Sequence, residues 1–151
     1  MVKRNIKRSE EREFAFTMLY ASEFNQDPLD LQIERLDESS QHKATPYVKK
    51  IISTYTSTKK ELDSLIKNKL ENWDLKRVAI IDKIILRMAI VEIVYFDEIP
   101  PEVSINEAIE LAKKYSTAGS GKFINGLLDA IYRTQKGKKR SKIKKEEMTA
   151  D

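Results

Sequence analysis

The stretch 99–130, IPPEVSINEAIELAKKYSTAGSGKFINGLLDA, decides the fold. Two prolines end whatever precedes them, because proline lacks a backbone N–H and fixes φ. Ser104-Ile105-Asn106-Glu107 then fits a capping box: the serine oxygen takes the amide three residues on, and Glu107 reaches back. The pattern predicts a helix with Ile105, Ala108, Ile109 and Ala112 turned inward. Small residues at 116–121 predict a tight turn. Ser120 is placed to cap a second helix whose apolar face is Phe123, Ile124, Leu127, Leu128 and Ile131. A glycine inside a helix costs roughly 1 kcal/mol relative to alanine, so Gly126 hints at close helix–helix contact. Nothing in the stretch resembles a catalytic device, and its order of turns and caps points to recognition.

Working outward, the preceding segment 78–96 is the most apolar of the chain. Val78, Ile81, Ile84, Ile85, Met88, Ala89 and Ile93 form a wide stripe, while Asp82, Lys83, Arg87 and Glu92 favour helix over strand. It reads as a buried central helix. Further back, Asp74 is placed to cap a turn, and Thr45-Pro46 gives a cap followed by proline at the first helical position. The helix opened there carries Tyr47, Val48, Ile51, Ile52 and Tyr55, then Leu62, Leu65, Ile66 and Leu70, with a bend expected in the Ser/Thr-rich segment between. Asp27-Pro28 repeats the cap-plus-proline signal before Leu29, Ile33 and Leu36. Ser9 is expected to cap the first helix, with Glu10 and Glu11 favourable against its dipole and Phe14, Met18, Leu19 and Phe24 on its apolar face. The sum is an all-α bundle of six or seven helices.

Composition narrows the function. The 151 residues suffice for one domain with a real core. With no cysteine and one histidine, thiolate metal sites, disulfides and cysteine catalysis are excluded. His42 lies in a polar stretch and reads as a solvated loop residue, which argues against a catalytic triad. The fragment 118–122 lacks the spacing and preceding strand of a phosphate loop. No apolar run is long enough to span a membrane, so a cytoplasmic, non-enzymatic protein without cofactor is expected. Charge is informative once located. Residues 136–151 hold seven Lys/Arg against three acids, and Lys3, Arg4, Lys7 and Arg8 put four more positive charges at the other end. The body 9–135 between them is net acidic. Basic ends on such a globule suit a polyanion, although solvated tails have the same composition.

Two constellations fit RNA. Lys3, Arg4, Lys7, Arg8 and Arg12 lead into the first helix, and Arg8 and Arg12 share a face if that helix extends back far enough. Lys122-Phe123 opens the last helix beside free backbone amides, so the lysine can touch phosphate while the ring stacks a base. Against this stand blander readings: the turn as a tight helix connection, and Phe123 as a core residue.

Together these residues resemble the NusB family of bacterial transcription antitermination factors. The resemblance runs from Arg12 to Leu19-Tyr20, through Arg77-Val78 and Asp82-Lys83 to Arg87, Ala89 and Glu92, then Ile99-Pro100, 103–113 and 122–129. It implies two helical subdomains, about 9–72 and 73–135. The basic segment 1–8 precedes them, and the basic tail 136–151, which lies outside the family core and whose composition from Gly137 onward can bury nothing, is expected to be disordered. The resemblance also implies binding of boxA-type single-stranded RNA together with NusE, a ribosomal small-subunit protein, in the RNA polymerase antitermination complex on ribosomal RNA operons. RNA contacts carried over from the family are Arg8, Arg12, Lys122 and Phe123 with Tyr20 nearby, and Arg4 and Lys7 extend the basic cluster. Contacts to NusE fall at Val78, Asp82 and Lys83. Ser9, Glu10 and Glu11 stand where more basic residues are common in the family, and Gly119 and Gly121 where an acidic or larger polar residue is common. The alternative is a dimerisation or regulatory module like the NusB-like domain of RNA methyltransferases. Either a monomer or a homodimer accommodates both readings.

Overall fold

The computed structural model describes residues 7–39, 43–71 and 74–149. Lys3, Arg4, His42 and Trp73 therefore lie outside the described residues. Six α-helices follow one another: α1 (Arg8–Ser22), α2 (Leu29–Ser39), α3 (Pro46–Lys69), α4 (Ile80–Tyr95), α5 (Pro101–Tyr115) and α6 (Ser120–Thr149). A short 3-10 turn, Leu75–Arg77, precedes α4. Among the described residues there is no strand, and no helix is long and apolar enough to cross a membrane.

The fold is organised around α4. Ile84, Ile85, Leu86, Met88, Ala89, Ile90 and Val91 are all buried, so this helix is enclosed on nearly every side. Its β-branched content would be a mild handicap in isolation, but burying each such side chain contributes about 1.5–3 kcal/mol and overrides propensity. α3 and α5 flank α4, α6 packs on α5 and α4, α1 lies across α3 and α4, and α2 rests on α1. One continuous core takes Met18 and Leu19 from α1, Ile51, Leu62 and Ile66 from α3, and Ile124 and Leu128 from α6.

Several local expectations hold. The Thr45 side chain accepts from the Val48 amide with Pro46 at the first helical position, and Asp74 accepts from the Lys76 amide. Others are corrected. Helix α5 begins at Pro101, because the second proline is pre-set for a first helical position, so Ser104 lies inside the helix and caps nothing. Its hydroxyl is drawn instead to Glu92 on α4. Ser9 is the second residue of α1, with Lys7 at the cap position, and its hydroxyl donates to Glu107. Ser120 is the first helical residue of α6 and donates to Asp82. Helix α2 starts one residue after Pro28, and the Asp27 carboxylate pairs with Arg35. No break interrupts α3 at its Ser/Thr-rich segment, where Thr56 and Thr58 return their hydroxyls to carbonyls four residues back. Phe24 is 71% exposed and stands edge-on to Tyr20 rather than in the core. A Cβ at Gly126 would meet open space, so no helix approaches it closely. The segment after Gly137, expected to lack structure, continues as helical backbone to Thr149.

Candidate nucleic-acid interface

The start of α1 and the α5–α6 turn are the two places where sequence puts the RNA contacts. Helix α5 links them: Glu107 accepts from Ser9 near the start of α1, and the helix runs from there into the turn. One cleft of about 340 Å³ is lined by Ser9, Glu13, Glu107, Glu110, Lys113 and Lys114, between α1 and α5. A second of about 310 Å³ is lined by Ile109, Lys113, Ser116, Thr117, Gly121 and Lys122, between α5 and the turn. Lys113 belongs to both, so the two clefts form one surface with Lys113 at their meeting point. Tyr20 is 36% exposed further along α1, stacked on Phe16, which in turn meets Tyr115 of α5.

The expected contacts divide sharply by burial. Lys7, Arg8 and Lys122 are exposed, and Phe123 is half buried against the core. Arg8 lies 4.1 Å above the Tyr47 ring, a cation–π contact that holds its guanidinium at the rim. Arg12 is different. It is 5% exposed and makes two parallel bonds to Glu92, Nε to Oε2 at 2.7 Å and Nη2 to Oε1 at 3.0 Å. Glu92 also accepts from the Tyr47 hydroxyl and from Ser104 Oγ at 2.8 Å. Burial opposes the charge on Arg12, but the bonds and charge of Glu92 outweigh it and raise its pKa. Burial first, then the charge of Glu92 and the bond to it, pushes the Tyr47 phenol far up. This buried cluster ties α1, α3, α4 and α5 to one carboxylate. It corrects the reading of Arg12 as an open phosphate contact: its guanidinium is consumed inside the protein.

The expected NusE contacts divide the same way. Val78 and Asp82 are buried, and Lys83 is half buried. Asp82 turns its carboxylate toward the α5–α6 turn, accepting from Ser116 and Ser120.

Known proteins show which family the chain falls in. The model of the NusB family matches residues 9–133, all but the two basic ends. The chain belongs to the NusB family. Transcription antitermination protein NusB of Chloroherpeton thalassium is 43% identical over 136 residues, which make up 88% of this chain and 64% of that protein. NusB of Listeria monocytogenes is 40% identical over 126 residues, 83% of this chain and 96% of that protein. Among solved structures, T. maritima NusB superposes with a TM-score of 0.77 at 35% identity, covering 86% of this chain and 93% of that one. A NusB solved with NusE and double-stranded RNA superposes with a TM-score of 0.73 at 26% identity, covering 84% of this chain and 96% of that one.

Within this NusB-family chain, sequence reasoning missed the Glu92 cluster and the bridging position of Lys113. A signal existed for the first. Glu92 lies in the second half of α4 amid Met88, Ala89, Ile90, Val91 and Ile93, and a buried carboxylate needs a charged or hydrogen-bonding partner. No comparable signal marks Lys113, whose position depends on how α5 lies between α1 and α6.

Proposed function

We propose that this chain is an RNA-binding transcription antitermination adaptor, without catalysis, that holds boxA-type single-stranded RNA together with NusE in the RNA polymerase complex on ribosomal RNA operons. The supporting observation is the fold shared, over 84% of this chain and 96% of the other, with a NusB solved with NusE and double-stranded RNA. That role implies the cytoplasm, where transcription runs.

The exposed cations supply the electrostatics. Lys113 and Lys122 line the cleft beside the α5–α6 turn, and Lys7 and Arg8 are exposed at the start of α1; these cations offer contacts to a phosphate backbone. Arg4 would extend this set from the segment outside the described residues. Arg12 serves indirectly, by fixing α1 against the core so that Lys7 and Arg8 are presented together. Tyr20 and the accessible part of Phe123 offer faces for base stacking. Of the three expected NusE contacts, Lys83 remains as a surface contact, since Val78 and Asp82 face inward.

A titration of boxA RNA, with and without NusE, tests the reading. RNA should bind, more tightly with NusE present, and Lys122→Ala combined with Arg8→Ala should weaken binding while leaving the helical fold intact. An absence of RNA binding in both conditions overturns it.

A further inference from the structure

We propose that Asp82 is a positioning residue: it fixes the α5–α6 turn from inside, and RNA affinity depends on it although it touches no RNA. The inference rests on the RNA-binding reading above and deepens it.

Asp82 is 7% exposed in the first turn of α4, where a negative charge is favoured by the helix dipole. Its two oxygens are used separately. Oδ1 accepts from Ser116 Oγ at 2.7 Å and Oδ2 from Ser120 Oγ at 3.0 Å. Ser116 is the cap residue that ends α5, and Ser120 is the first residue of α6. One carboxylate thus fastens both ends of the connection. Ser120 Oγ also lies 2.8 Å from Ser116 Oγ and 3.1 Å from Thr117 Oγ1, so three turn hydroxyls and the carboxylate form one network. The intervening residues 117–119 are exposed, and Lys122 follows one half-turn later. Of the turn's backbone bonds, the Ser120 amide to the Thr117 carbonyl at 3.1 Å lies within it, while the Ser116 amide to Ala112 and the Phe123 amide to Gly119 tie its two ends to α5 and α6; the carboxylate adds a link between those ends. Residues so held present the amides and Lys122 in a fixed array, which lowers the ordering cost of binding.

The sign of the effect separates positioning from simple charge. Removing a negative group beside a polyanion site strengthens RNA binding if charge alone matters. Positioning gives the opposite. Asp82→Ala should weaken RNA binding about five- to tenfold, the loss equivalent to one ordinary hydrogen bond. Asp82→Asn should recover most of the affinity, because either serine hydroxyl can turn its proton to suit an amide. Ser116→Ala with Ser120→Ala, which changes no charge, should reproduce the loss and add little to Asp82→Ala. Binding of NusE without RNA should be unchanged in all of them.

The experiment is an RNA titration of each variant, with NusE affinity measured separately and helicity checked by circular dichroism. Equal or tighter RNA binding by a folded Asp82→Ala protein overturns the proposal, as does a loss confined to NusE binding. If Asp82→Ala does not fold, the double serine variant decides alone, and unchanged affinity there is the overturning result. Failure of the unmutated protein to bind RNA would instead be a failure of the RNA-binding reading itself.

Discussion

At the scale of single residues, the most consequential assignment is Arg12. A cation four residues after Arg8 reads as part of a basic face, and only a residue 80 positions away turns it inward. Breaking a buried ion pair by removing one partner strands the other charge, at a cost of about 3–5 kcal/mol. Arg12→Ala should therefore lower the thermal midpoint sharply. Lys122→Ala, at an exposed position, should change stability by no more than about 0.5 kcal/mol while weakening RNA binding. Thermal melts and RNA titrations of the two variants separate the roles; equal melts would contradict them. Titration gives a second residue-scale test. Burial pushes the Tyr55 phenol up to about 12. Burial, followed by the bond to and charge of Glu13, takes Tyr115 to about 12 as well. Both raised values mean stability that is complete below the ordinary tyrosine pKa of about 10 and lost as pH climbs through 12. Glu13 runs the other way. Hydrogen bonds from Lys114 and Tyr115 hold it below the usual carboxylate range, so its contribution is present at neutral pH and lost on acidification. Denaturation curves across pH should show Tyr115→Phe flattening the alkaline limb and Glu13→Gln the acid limb.

At the scale of elements, α6 carries the clearest prediction. Gly126 sits in helix with nothing near its absent Cβ, so Gly126→Ala should stabilise the protein by about 0.5–1 kcal/mol, measured by urea denaturation. A clash with a neighbouring helix would give the opposite sign. The helices themselves were legible in the sequence because period, proline and charge agree along each one. Their start signals were less so. Thr45 caps as expected because it stands just outside its helix, where its oxygen accepts from the Val48 amide while its proton goes to Glu11 of α1, and Asp74 accepts from the Lys76 amide in the same position before its turn. Ser104, Ser9 and Ser120 have hydroxyls of the right kind in nearly the right places, yet each is claimed by a carboxylate from another helix. A local pattern records which bonds are available nearby and is silent about a stronger acceptor arriving from elsewhere. The same limit applies to the site: Lys7, Arg8 and Lys122 were readable as exposed cations, whereas the inward turn of Arg12, Val78 and Asp82 depends on packing.

At the scale of the whole molecule, Lys113 of α5 lines both clefts, between the two ends proposed to meet RNA. Binding there should be salt-dependent. For single strands, each phosphate contact contributes a slope of about −0.7 in log affinity against log salt. Neutralising Lys7, Arg8 and Lys122 together should thus reduce the slope by about 2, while melting is little affected. An unchanged slope would remove those three from the interface. The Glu92 cluster has one further consequence, for synthesis. Arg12 leaves the ribosome 80 residues before its carboxylate partner, a delay of about 4–16 s at 5–20 residues per second. During that interval residues 1–22 carry five Lys/Arg against three Glu, with the Arg12 guanidinium unclaimed. Arrival of α4 and α5 withdraws that group from solvent, so the nascent chain is more cationic at this end than the finished protein.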